Sequence, residues 1–311
     1  MKYPFKRFLT GAALAVLVVG AAAAGPVEDG LAARDRGDFA TALRLWRAAA
    51  QQGSARGQFY LGWMYDAGKG VPRSYDQAAD WYRKAADQGF AAAQHYLGLL
   101  YFDGHGVAQD YTEAVGWFRK AADQGYPAAQ VYLGSMYDVG EGVPQDYGEA
   151  AKWYGKAASQ GNANAQHNLG VMYLTGHGVP QDYGQAAVWL TKSAEQGNAS
   201  AENNLGLMYF TGQGVAQDDV QAAKWLRKAA EQGIAQADFN LGYLYANGRG
   251  VPKDNVQAYV WFELAATHYP DTEADGRAAA IKYRDTVAAL MTPAQIAEAQ
   301  REVRATEHGA K

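Results

Sequence analysis

Apolar and small residues recur along this chain in two alternating runs with helical spacing, separated by a glycine-bearing loop. Between residues 54 and 87, Gln58, Leu61, Gly62 and Tyr65 stand at i, i+3, i+4 and i+7, one face of a first helix. Ala78, Trp81, Tyr82 and Ala85 repeat that spacing after the loop, as a second helix. These are helix A and helix B of one hairpin. The pair returns every 36 residues: Gln-Gly closes it at 52–53, 88–89, 124–125, 160–161, 196–197 and 232–233, and Leu-Gly falls inside helix A at 61–62, 97–98, 133–134, 169–170, 205–206 and 241–242. A fixed period of this size predicts a stacked array sharing one continuous core. No alternating apolar run of comparable strength interrupts it, so the expected class is all-α, an α-solenoid of antiparallel helix pairs.

Six full copies, starting at Ser54, Phe90, Tyr126, Asn162, Asn198 and Ile234, occupy residues 54–269. Each loop carries Gly-x-Gly-Val, from Gly68 and Gly70 to Gly248 and Gly250, as expected where a helix closes in the left-handed conformation and the chain reverses. Pro72, Pro144, Pro180 and Pro252 stop helix A, while Ser74 and then Asp110, Asp146, Asp182, Asp218 and Asp254 stand where helix B needs an N-cap. None of these glycines lies in a phosphate-loop frame. Gly62, Gly98, Gly134, Gly170, Gly206 and Gly242 would each cost about 1 kcal/mol against Ala inside a helix, which points to close approach of helix B onto helix A. Trp81, Trp117, Trp153, Trp189, Trp225 and Trp261 are expected to fill the space between successive pairs as core residues. Residues 25–53 read as a divergent N-terminal helical cap, with Ala42, Trp46 and Ala49 at the spacing of Ala78, Tyr82 and Ala85. Residues 270–311 read as C-terminal capping helices, one from Thr272 to Leu290 and one from Pro293 through about Val303, followed by a short disordered tail from Thr306.

The first 24 residues differ from the rest: Lys2, Lys6 and Arg7 precede a short apolar run, and Ala22-Ala23-Ala24 precede Gly25-Pro26. That is the pattern of a secretory signal peptide, with an apolar run too short to span a bilayer comfortably; the alternative is an uncleaved N-terminal anchor. Its removal takes away three positive charges and moves the formal net charge from −4 to −7. An exported chain with no Cys fits a bacterial periplasm and excludes a structural disulfide, and its acidity argues against nucleic acid as a partner. No membrane span is expected after cleavage. His95 and His167 share one repeat position, and His105 and His177 share another, two units apart in each case and without H-x-x-x-H or H-E-x-x-H pairing. Polar surface residues, and no metal or cofactor, are expected there. There is no G-x-S-x-G, and the S-x-x-K, S-D-N and K-T-G set is absent, so no catalytic residue is assigned.

Leu-Gly-x-Met-Tyr, Gly-x-Gly-Val-Pro-x-Asp, Ala-x-x-Trp and Lys-Ala-Ala-x-Gln-Gly, as in Leu169 to Tyr173, Gly176 to Asp182, Ala186 to Trp189 and Lys156 to Gly161, resemble the Sel-one-like repeat, a longer-looped relative of the tetratricopeptide repeat. The resemblance implies a right-handed superhelix of helix pairs acting as an adaptor between proteins. Similar bacterial proteins serve in envelope signalling, in regulation of membrane sensor kinases and in host contact. A cysteine-rich branch of the family is linked to penicillin binding, and this chain departs from that branch in lacking every Cys.

Positions that vary between copies are free to serve a partner. On helix A they lie opposite the packing face, where the resemblance places the concave surface. At i+3 they are Phe59, His95, Val131, His167, Asn203 and Phe239; at i+7, Trp63, Leu99, Val171, Leu207 and Tyr243; at i+10, Phe102, Leu174 and Phe210. Together they form an apolar stripe of the kind that marks interaction sites, although tight curvature would bury some of them against adjacent A helices. The expected function is a periplasmic or secreted scaffold that binds a protein or peptide of the cell envelope through this surface, with no chemistry of its own. The alternative is a hydrolase acting on the cell wall or on β-lactams.

Overall fold

A computed structural model of the chain describes residues 25–309; the expected signal segment, residues 1–24, lies outside them. Among the described residues there are sixteen α-helices and no strand. They run α1 (Pro26–Asp35) and α2 (Phe39–Gln51), then six A/B pairs: α3 (Ala55–Ala67) with α4 (Tyr75–Asp87), α5 (Ala91–Asp103) with α6 (Tyr111–Asp123), α7 (Pro127–Val139) with α8 (Tyr147–Ser159), α9 (Ala163–Thr175) with α10 (Tyr183–Glu195), α11 (Ala199–Thr211) with α12 (Asp219–Glu231), and α13 (Ala235–Asn247) with α14 (Asn255–His268). A single 3₁₀ turn at Asp271–Glu273 leads into α15 (Ala274–Ala288) and α16 (Pro293–Gly309).

The helix ends follow from the loop chemistry. Gly104, at φ 70°, closes α5 in the left-handed region, and Asp110 opens α6 by accepting the backbone N–H groups of Thr112 and Glu113 at 2.9 and 3.0 Å. Asp110 N–H donates back to the Tyr101 carbonyl at 3.0 Å, which fixes the reversal. The second loop glycine has a different task. A methyl group on Gly106 would stand 2.2 Å from the Tyr75 carbonyl carbon, so each loop presses onto the first turn of the preceding B helix.

Within each pair, the helix-interior glycine admits one large side chain of helix B. A methyl on Gly98 would lie 2.8 Å from the Phe118 ring, and the same relation joins Gly62 to Tyr82, Gly170 to Leu190 and Gly242 to Phe262. The cost of these glycines is thus offset by burial of the opposing side chain.

This corrects the expected role of the tryptophans. Tyr82, Phe118, Tyr154, Leu190, Leu226 and Phe262, one residue further on, are the buried core positions. Of the six tryptophans only Trp153 is buried; Trp81, Trp117, Trp189, Trp225 and Trp261 are half-exposed. One step along a helix turns a side chain by about 100°, enough to move it from the A/B interface to its margin. There the ring is covered by a lysine one turn later, with Lys84 Nζ 4.0 Å from the Trp81 centroid and Lys120 Nζ 3.7 Å from that of Trp117. Trp46 of α2 is itself fully buried, because it occupies the Tyr82 position and not the Trp81 position.

A buried polar rung ties each pair to its neighbour. Gln94 Nε2 donates to the Ala86 carbonyl of the preceding B helix at 3.1 Å, and its Oε1 accepts from Gln124 Nε2, at the end of its own B helix, at 2.7 Å. Gln58 with Gln88, Gln130 with Gln160 and Gln166 with Gln196 repeat it. Each rung brings a second donor to a helix-end carbonyl that already accepts a glycine N–H, as Ala86 does from Gly89 at 2.9 Å, and so links the two pairs through buried polar groups.

At the C-terminal end α15 and α16 both pack on α14. Arg284 donates to Glu263 at 2.6 Å and Gln257 to Glu302 at 2.7 Å, while Ala280, Val287, Ala299 and Val303 are buried. α16 continues from Val303 to Gly309, with Thr306 Oγ1 donating to the Glu302 carbonyl at 3.1 Å; the end of the expected tail, residues 310–311, lies outside the described residues.

Candidate functional site

The predicted stripe divides into buried and accessible parts. At i+3, Phe59, His95, Val131 and Asn203 are buried and His167 and Phe239 half-buried; at i+7, Leu99 is buried while Trp63, Val171, Leu207 and Tyr243 are half-buried. At i+10, Phe102, Leu174 and Phe210 are half-buried. The cause is contact between successive A helices. The Phe59 ring lies 5.3 Å from Phe90 and 5.4 Å from Tyr96, and the His95 ring 5.1 Å from Tyr126 and 5.5 Å from Tyr132. Phe59, His95, Leu99, Val131 and Asn203 therefore belong to the seams and could meet a partner only if a seam opened. The i+7 and i+10 positions other than Leu99, with His167 and Phe239 at i+3, are the ones left to face outward.

Two of the histidines, His95 and His167, depart from the surface reading, whereas His177 is exposed and His105 half-exposed. His95 is buried with no hydrogen-bond partner for Nδ1, and burial pushes its imidazole down to about 3. His167 lies 3.1 Å from Asn168 Oδ1 and 3.3 Å from Asn204 Nδ2, and burial lowers its pKa as well. His105 and His177 stack on Tyr75 and Tyr147, at 4.6 and 5.1 Å. Among the described residues no group of three or more His, Cys, Asp or Glu is placed to hold a metal ion, and no helix is long and apolar enough to cross a membrane.

Towards the C-terminal end this wall opens into a cavity of about 230 Å³, lined by Leu207 and Phe210 of α11, Leu226 of α12, Phe239, Asn240 and Tyr243 of α13, and Tyr283 of α15. Its origin is a substitution within the repeat. Position 60 and its equivalents read Tyr60, Tyr96, Tyr132, Asn168, Asn204 and Asn240. The three tyrosines lie against the core ring of the preceding pair, Tyr60 on Trp46 at 4.9 Å, Tyr96 on Tyr82 at 5.5 Å and Tyr132 on Phe118 at 5.0 Å. At Asn240 the tyrosine is missing and the residue opposite is Leu226, so volume is lost on both sides. Asn240 Oδ1 accepts from Gln236 Nε2 at 3.3 Å, whereas its Nδ2 is buried and has no partner. The cavity is thus apolar with one unused amide donor. The Arg249 guanidinium covers the Phe210 ring at 4.0 Å while pairing with both Asp219 oxygens at 2.7 and 2.8 Å, which holds that wall in place.

Leu207, Phe210, Phe239 and Tyr243 were in the predicted stripe. Leu226, Asn240 and Tyr283 were not. Asn240 carried a signal, the change from tyrosine to asparagine down one column of the repeat, but Tyr283 lies beyond the periodic region and had none.

The Sel1 repeat family model matches residues 21–54, 55–90, 91–126, 127–162, 163–198, 199–234 and 235–268. The segment expected to be only a divergent cap is thus matched as a seventh repeat. A Sel1 repeat protein from Oxalobacter formigenes is 32% identical, covering 78% of this chain and 97% of its own, with a TM-score of 0.70. The protective antigen c5321 of uropathogenic Escherichia coli, described as displaying an SLR fold, is 28% identical over 90% of this chain and 91% of its own, with a TM-score of 0.43. No curated protein matches the chain. Sel1 repeat scaffolds generally mediate protein–protein interaction and are typically non-catalytic. With its period, its helix pairs and seven matched units in agreement, the chain belongs to the Sel1 repeat family.

Proposed function

We propose that this protein is an exported, non-catalytic scaffold that binds a partner protein or peptide of the cell envelope along the concave wall formed by its A helices. The observation that carries this reading is the cavity between α11 and α13. It is apolar, it is sized for one bulky side chain, and it holds one buried amide donor without a partner. An aliphatic or aromatic side chain would fill it, while Asn240 Nδ2 donates to a carbonyl of the same partner. Half-exposed Leu174, Val171, Phe102 and Trp63 continue the apolar wall towards the N-terminus, where further side chains of an extended partner would lie. Export rests on the basic, apolar and small-residue pattern of residues 1–24.

Selection from a displayed peptide library tests the site. Recovered peptides should share one bulky apolar residue, and Phe210→Ala with Tyr243→Ala should weaken their binding at least about tenfold while the circular dichroism melt changes little. Peptides that bind the double variant as well as the parent would refute it. Fractionation of expressing cells, with the mass of the mature N-terminus, tests export; recovery of an intact N-terminus in the cytoplasm would refute that part.

A further inference from the structure

The rung that joins each pair to the next changes character along the array. In the four copies starting at Ser54, Phe90, Tyr126 and Asn162 it is two neutral amides; in the fifth it is Glu202 with Gln232 at 2.7 Å. In the sixth, both members are titratable: Asp238 occupies the glutamine position, fully buried, and His268 Nδ1 lies 2.6 Å from its Oδ2. The other oxygen, Oδ1, is buried without a partner.

This couple sits where the cap is attached. His268 is the last residue of α14, and Tyr269 follows it, buried, with its hydroxyl donating to Gln236 Oε1 at 3.0 Å. α15 docks on that ring: a methyl on Gly276 would stand 2.7 Å from it, and Arg277 Nη2 donates to the Tyr269 carbonyl at 2.6 Å. We propose that the Asp238–His268 couple is a proton-operated clasp, whose protonation state sets how firmly the α15 cap is held on the end of the array.

Groups from three elements face the couple. α14 contributes His268 itself and then Tyr269; α12 contributes Ala230 by register; α15 brings Arg277, whose Nη1 is held by Asp271 at 2.8 Å, and Glu273 precedes its first residue. Burial pushes the Asp238 carboxyl up to about 6, although the His268 hydrogen bond opposes it. An unfolded aspartate titrates near ~3.9. Between those values the folded chain keeps a proton that the unfolded chain has released, so this contribution is full below about pH 4 and is lost as pH rises through about 6. The clasp therefore loosens with rising pH. Its operation does not depend on what binds the A-helix wall.

Hydrogen exchange of the full chain at pH 5 and pH 8, corrected for the intrinsic rate, tests it. The opening constant of the α15 amides should rise about tenfold or more, while α3 amides, beside the all-amide rung of Gln58 and Gln88, stay level. Replacing the couple by the pair used elsewhere, Asp238→Gln with His268→Gln, should abolish the rise. If that variant leaves α15 open at both pH values, Asp238→Asn carries the test through its smaller change of shape. A rise in either closed variant equal to that of the parent, or no rise in the parent, would overturn the clasp.

Discussion

Phe118 and Trp117 are adjacent in α6, and their one-step difference in direction decides which of them holds the fold. Phe118 faces Gly98 and is fully buried; Trp117 lies at the margin under Lys120. Phe118→Ala should cost about 3–5 kcal/mol by denaturant unfolding, and Trp117→Ala about 1–2, since less of its area leaves water. Equal costs would mean that the two share the core. His95 gives a pH-dependent counterpart. Burial holds its imidazole near 3, so the unfolded chain takes up a proton below about 6.5 that the folded chain refuses. This contribution is complete above that pH and falls as acid is added, by at most about 3 kcal/mol at pH 4. His95→Phe should flatten the acid side of the stability profile, and an unchanged profile would show that another group governs it. At this scale the sequence was only partly legible. Trp81 and Tyr82 both satisfy a loose helical spacing, and residue size favoured the wrong member of each pair. The glycine opposite was visible, but which side chain it admits depends on the rotation of helix B about its axis.

Helix boundaries were the most legible feature, because each end is a local event. The glycine that closes helix A and the aspartate that opens helix B act within a few residues, and they fall where the sequence placed them. The rungs were illegible despite their regularity. Gln94 and Gln124 repeat as a pair in four of the six full copies, yet repetition alone does not say that they meet, thirty residues apart, inside a seam. Gln94→Leu should cost about 1 kcal/mol, since it removes one of two donors to the Ala86 carbonyl and one of two acceptors of the Gln124 amide, whose other partners are Gly89 N–H and the Lys120 carbonyl. Hydrogen exchange should place the loss at the seam between α4 and α5, and protection unchanged there would assign the rung no structural weight.

For the molecule as a whole, period and length announced an all-helical array, and the structure agrees. The cavity was less accessible to reasoning from sequence, because it needs three things at once: the asparagine that the last three copies carry, a leucine in the pair before it and a tyrosine from the cap. Asn240→Tyr tests how these combine. It restores the residue that the first three full copies carry, so it should fill the space, hold or raise the melting temperature, and abolish peptide binding at this point. Retained binding would move the anchor elsewhere on the wall.

The loops that press back on the preceding B helix reach one unit and no further. Gly106 meets Tyr75, Gly142 meets Tyr111 and Gly178 meets Tyr147, thirty-one positions upstream each time. Excising residues 127–162 would therefore splice Gly178 against the Tyr111 backbone, a surface of the same shape, whereas cutting one residue fewer would put that one junction out of register. Array length is consequently a property that duplication and loss can adjust in whole units without redesigning any joint.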